Sequence, residues 1–163
     1  AEAGEVMSAV RRACKAFNSQ ITVVTAGYAD YRRFGGLGPE ALVDAAKISR
    51  SDVVMVDTAI KDGATLLDNM PEAELADFIA LAHEAELEVA LAGSVGAEHL
   101  PVLFEVGADI VGVRGAVCGA GDRNTAIEVG AVRRFMAAVD AQRRAAAPTT
   151  VSVAGHSARP RSF

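Results

Sequence analysis

Asp57 and Lys61 form the sharpest chemical pair in this chain of 163 residues. They lie in the segment DTAIKDG (57–63), which opens where the apolar run VVMVD (53–57) ends. If the backbone stays extended past Val56, residues 57, 59 and 61 point to one side and set a carboxylate beside an amine. An amine in that position can form a Schiff base, or move protons once neighbouring groups tune it. A surface ion pair with no chemistry fits the same spacing, and spacing alone leaves both open. Gly93-Ser94 and Arg114-Gly115 suggest a phosphate cradle. Glycines let backbone N–H groups approach an anion, Ser94 precedes an expected helix whose amino end favours negative charge, and Arg114 adds a charge-assisted donor. The plain alternative is that Ser94 caps its helix and the glycines only make turns. Asp30, Asp122 and Arg123 stand on polar loops that could reach a substrate, or could simply be solvated. The segment GAGDRN (119–124) does not follow the first strand of a nucleotide-binding unit, so it is not a dinucleotide fingerprint.

Something must hold these loops together. Four short runs have strand character: 21–25 (ITVVT), 53–57 (VVMVD), 88–92 (EVALA) and 110–113 (IVGV). They are nearly continuous in apolar character, which predicts strands buried on both faces. Helix-period stretches separate and flank them at 2–17, 39–49, 71–85, 97–106 and 125–144. Alternating strands and helices call for a parallel α/β sheet, and in such sheets function gathers at the carboxyl ends of the strands. Each polar loop named above follows one of these runs. Four such units amount to about half of a (β/α)8 barrel of ~250 residues. The expected architecture is therefore half of a TIM barrel over 1–145, followed by a flexible tail at 146–163.

Composition narrows the function. The chain is 51% hydrophobic with a mean hydropathy of +0.24, enough for a core and too apolar for a disordered chain. Sixteen basic residues against 21 acidic ones give a net charge of −5. Its basic clusters are only arginine pairs, which argues against a nucleic-acid partner. No run reaches the roughly 18 apolar residues of a membrane helix, and no export leader opens the chain, so no membrane partner and a cytoplasmic location are expected. Cys14 and Cys118 have no metal or redox spacing, and the three histidines pair with nothing at ligand spacing. Neither a metal site nor a cofactor is expected. Small-residue packing suits Cys118 best.

Taken in order, VVTAGYAD (23–30), DTAIKDG (57–63) with LLD after Thr65, LAGS (91–94) and DIVGVRGAVC (109–118) with GDRN (121–124) resemble one family closely. It is the (5-formylfuran-3-yl)methyl phosphate synthase family, also called 4-(hydroxymethyl)-2-furancarboxaldehyde-phosphate synthase, of methanofuran biosynthesis and one-carbon metabolism. The resemblance implies a (β/α)8 barrel lyase that condenses two glyceraldehyde 3-phosphate molecules by lysine Schiff-base chemistry, losing phosphate and water to form a furan. It implies that the chain is the second half (strands 5–8) of that barrel, and that Asp57 and Lys61 match an active-site Asp and Lys of the family's sixth strand. It further implies that Gly93, Ser94, Arg114 and Gly115 match the loops contacting phosphate. The family's Schiff-base lysine and a second proton-accepting lysine belong to the first half of its barrel and have no counterpart here. A fragment is therefore expected, completed by a missing N-terminal half or by a homo-oligomer. Two other functions are weighed: a non-catalytic phosphate-binding half-barrel, and a class I aldolase acting on another sugar phosphate.

Overall fold

The computed structural model describes residues 2–146, which form a parallel α/β structure. Helix α1 (Glu2–Phe17) leads into strand β1 (Val24–Tyr28), and α2 (Pro39–Ser49) into β2 (Val53–Asp57). A single helical turn, α3 (Leu66–Asn69), precedes α4 (Glu72–Glu84) and β3 (Glu88–Leu91). The short α5 (Leu100–Glu105) leads to β4 (Ile110–Val111), and α6 (Val129–Ala146) ends the described chain. The tail expected at 146–163 lies outside the described residues apart from Ala146, the last residue of α6.

All strand pairs are parallel and run in the order β1-β2-β3-β4. Two expectations are corrected here. The half-barrel (strands 5–8 of a TIM barrel) is not what the residues form. They make one open four-stranded sheet, in which β1 and β4 each pair on one side only. Closure requires hydrogen bonds between the first and last strands of a ring, and β4 is two residues long and bonds only to β3. Nor are all strands buried on both faces. Helices cover the face carrying Val54, Val56, Val89 and Leu91, whereas β1 alternates between exposed and buried, with Val24 and Tyr28 each 45% exposed.

The covered face is the core. Leu42, Val43 and Ala46 of α2 and Leu75, Phe78, Ile79 and Ala82 of α4 pack on the strand residues. A fully buried side chain of this size contributes roughly 1.5–3 kcal/mol. Helix α2 approaches closely because Gly27 has no side chain: a Cβ there would stand 2.5 Å from Leu42 Cδ2. A second cluster of Leu100, Val117, Ala131 and Phe135 fastens α6 beside the carboxyl end of β4. Carboxylates hold the opposite ends of the strands. Asp52 accepts the Val23 N–H at 2.7 Å and pairs with Lys15 at 3.0 Å, while Asp109 accepts the Val89 N–H at 2.8 Å beside His83. Strand starts are thus pinned, and the strand-end loops carry the polar chemistry.

Candidate active site

The loops after β2, β3 and β4 enclose a cavity of about 750 Å³. Asp57, Lys61, Gly93, Ser94, Arg114 and Gly115 all line it, together with Arg123. Seven of the nine residues singled out from the sequence therefore meet at one place. The lining also includes Glu98 and Arg134, so four cations (Lys61, Arg114, Arg123, Arg134) face two carboxylates (Asp57, Glu98). The positive excess favours an anion.

Strand β2 ends at Asp57, and the chain turns there instead of continuing extended. The turn brings Lys61 back: its Nζ lies 3.0 Å from Asp57 Oδ1 and 3.0 Å from Thr58 Oγ1, and also donates to the Thr58 carbonyl. Asp57 Oδ1 is itself fixed by the Thr58 N–H at 2.7 Å. About a third of each charged side chain remains exposed. An ion pair this exposed adds only about 0.2–1 kcal/mol to stability. The pair contributes little to the fold and leaves the amine open to the cavity.

Gly93 and Ser94 turn the chain after β3 with φ values of +115° and +51°. Only glycine adopts the first comfortably, and the second places a non-glycine residue in the left-handed region, at a cost of order 1–3 kcal/mol. The Gly93 carbonyl accepts the Leu66 N–H at 2.8 Å, tying the β3 loop to α3. The expected helix at 97–106 begins as a 3-10 turn at Ala97–His99, and its α-helical part, α5, has six residues. Its N-cap is Gly96, whose N–H donates to His99 Nδ1 at 2.9 Å. Ser94 neither caps that helix nor sits at its end, so the helix-dipole reason for choosing it does not hold. Arg114 is held by its Nε donating to the Arg123 carbonyl at 3.0 Å.

Asp30 and Asp122 point elsewhere. Asp30 is 2% exposed, and its two oxygens accept the Ala59 and Ile60 N–H groups at 2.8 Å each. Burial pushes its carboxyl up, but those amides and the nearby Arg33 outweigh it and hold the group below the usual carboxylate range. Asp122 accepts from the Asn124 backbone at 2.9 Å and side chain at 3.0 Å, closing its own turn. Arg32 is engaged by Glu74 at 2.8 Å and Arg33 by Asp62 at 2.8 Å. Thr58 and Arg134 were missed from the sequence. Thr58 sits inside the DTAIKDG segment, next to the aspartate, and that adjacency was its one signal. Arg134 enters from α6 because the Phe135 and Ala131 contacts turn that helix toward the cavity, which no local motif reveals. Among the described residues, no group of three or more His, Cys, Asp or Glu side chains could hold a metal ion, and no helix is long and apolar enough to cross a membrane.

Fold and site together define a parallel α/β protein with a cationic cavity at its strand ends. More specifically, the chain belongs to the 4-HFC-P synthase family, whose model matches residues 1–136. It is 50% identical over 135 residues to the (5-formylfuran-3-yl)methyl phosphate synthase of Methanopyrus kandleri, a match covering 83% of this chain and 55% of that protein. Over 136 residues it is 46% identical to the synthase of the same name from Methanosarcina barkeri, covering 83% of this chain and 58% of that one. A bacterial relative from Streptomyces griseus, named a putative (5-formylfuran-3-yl)methyl phosphate synthase, is 49% identical over 145 residues, 88% of this chain and 58% of its own. The chain thus spans a little over half the length of these curated relatives.

Proposed function

We propose that these residues supply part of the active site of a carbon–oxygen lyase that condenses two glyceraldehyde 3-phosphate molecules to 4-(hydroxymethyl)-2-furancarboxaldehyde phosphate, with loss of phosphate and water. The observation that carries the reading is the meeting of an Asp57–Lys61 pair with the Gly93-Ser94 and Arg114-Gly115 loops on one cationic cavity. The names of the relatives support the synthase activity and its phosphorylated product. A triose phosphate brings a carbonyl with an acidic neighbouring C–H, and an anion that needs donors. Joining two of them requires a proton to leave the carbon beside a carbonyl, and elimination of water or phosphate requires a proton for the departing oxygen. Lys61 is assigned that proton transfer. Asp57 holds the amine in place, while Ser94, Gly115 and Arg114 anchor the phosphate. The Schiff base proposed for the reaction forms on a lysine with no counterpart among these residues.

General acid–base catalysis by a positioned amine is worth about 10²–10⁴-fold. Guanidinium keeps the charge but does not deprotonate in proteins. Lys61→Arg in the complete protein should therefore reduce turnover by that factor, read as the ultraviolet absorbance of the furan aldehyde, while the protein still binds phosphate. Full activity in Lys61→Arg reduces Lys61 to an ion-pair partner and overturns the assignment. Turnover without a furan product points instead to an aldolase on another sugar phosphate. Phosphate binding without any turnover points to a non-catalytic phosphate-binding module.

A further inference from the structure

We infer that Thr58, which does not line the cavity, is the positioning residue that aims the Lys61 ammonium at it. The inference rests on the proton-transfer role proposed for Lys61. A lysine side chain has four rotatable bonds and loses their rotamer entropy when fixed. A single ion pair, a third exposed, does not offset that cost. Thr58 supplies what is missing. Its hydroxyl lies 3.0 Å from Lys61 Nζ and its carbonyl accepts a second N–H. Its own N–H donates to Asp57 Oδ1 at 2.7 Å, and that oxygen takes the third ammonium hydrogen at 3.0 Å. All three Nζ donors are thus directed by Thr58 or by the aspartate that Thr58 orients.

Thr58 is itself immobilised. It is 1% exposed. Its methyl faces the bare Cα of Gly93, where an added Cβ would stand 2.8 Å from Thr58 Cγ2 and 3.0 Å from its backbone N. The β-branched side chain has few χ1 choices. The side chain packs on Gly93 through its methyl and, at 3.3 Å from the same position, its hydroxyl, and in that rotamer the hydroxyl reaches Lys61. The β3 loop therefore sets the direction of a side chain on the β2 loop, through a residue that does not line the cavity.

The test compares Thr58→Val, Thr58→Ser and Lys61→Arg in the complete protein, with triose phosphate as substrate. Thr58→Val keeps the shape, the backbone N–H and the carbonyl, and removes only the hydroxyl. A displaced catalytic group costs on the order of 10²-fold. We expect kcat to fall roughly 10- to 100-fold with KM unchanged, because only the aim of the amine is lost. Thr58→Ser should recover most of that loss, and Thr58→Val added to Lys61→Arg should cost nothing further. A packing role predicts the opposite order, with Ser, which lacks the methyl, worse than Val. Wild-type kcat in Thr58→Val with an impaired Lys61→Arg overturns this inference and leaves the role of Lys61 standing. Full activity in Lys61→Arg overturns both. If Thr58→Val does not fold, the decision passes to Thr58→Ser: near wild-type kcat supports the hydroxyl, and a kcat as low as that of Lys61→Arg refutes it.

Discussion

Replacing Asp30 by Asn should destabilise the protein by about 2–4 kcal/mol, although the substitution is nearly isosteric. The magnitude follows from two hydrogen bonds. Each carboxylate oxygen accepts a backbone N–H at 2.8 Å, from Ala59 and from Ile60, at a site 2% exposed. Hydrogen bonds to charged groups contribute roughly 1.5–3 kcal/mol each. Asn can keep one, as a weaker neutral bond, but its amide then faces the other N–H donor to donor. At this chain length 1 kcal/mol corresponds to about 2–4 °C, so the melting temperature should fall by roughly 5–15 °C. Urea unfolding of wild type and variant across pH checks the reasoning. The folded pKa of Asp30 lies below the usual carboxylate value, so its contribution is complete above the unfolded value of about 3.9. It is lost as pH falls through the lowered folded pKa. The gap between the two proteins should therefore be full at neutral pH and close in acid. A difference under about 0.5 kcal/mol at pH 7, the size typical of a surface change, would refute the clamp. So would a gap that is unchanged in acid.

Two further perturbations probe the neighbouring loops. Gly93→Ala should cost about 3 kcal/mol or more in urea unfolding, since φ is +115° and the new Cβ would meet Thr58 at 2.8 Å; a cost under 1 kcal/mol would remove the packing between the β2 and β3 loops from the account. Ser94→Ala combined with Arg114→Ala should weaken the binding of inorganic phosphate, measured by calorimetry, by at least about 10-fold, as expected for losing a charge-assisted hydrogen bond; unchanged affinity would move the anion away from these loops.

The sequence shows the order of elements better than their edges. Residues 53–57 and the helix at 39–49 stand where the apolar run and Pro39 place them, because burial and chain geometry act on the same residues there. The first strand is three residues late: ITVVT at 21–25 has the stronger strand propensity, but pairing begins at Val24, opposite Val53. Asp52 takes the Val23 N–H as a terminal clamp, and the weak strand formers Ala26 and Gly27 are drawn in because β2 pairs with them. Here tertiary pairing overrides propensity. Sheet closure was not legible at all. Continuous apolar runs record that strands can be covered on both faces, and say nothing about whether a fifth strand is present to pair with an edge.

The candidate site's residues meet for a different reason than the one that first suggested them. Alternation along an extended strand pointed to Asp57 and Lys61, yet the strand stops at Asp57 and a turn, not a pleat, brings the amine back. That turn depends on residues whose types do not reveal that they hold it. Asp30 reaches from the end of β1 to hold the amides of Ala59 and Ile60, and Gly93 on the β3 loop leaves room for Thr58. Asp30 was singled out for its charge as a substrate contact, but its geometry is that of a scaffold. Gly93 was singled out for its backbone as a phosphate contact, but the absent side chain also serves its neighbour. Residue type limits what a side chain can do, and only contacts between adjacent strand ends decide which of those things it does. Lys61 alone could be a surface cation. Held by three acceptors in a turn clamped from both neighbouring strands, it has the fixed position that proton transfer needs.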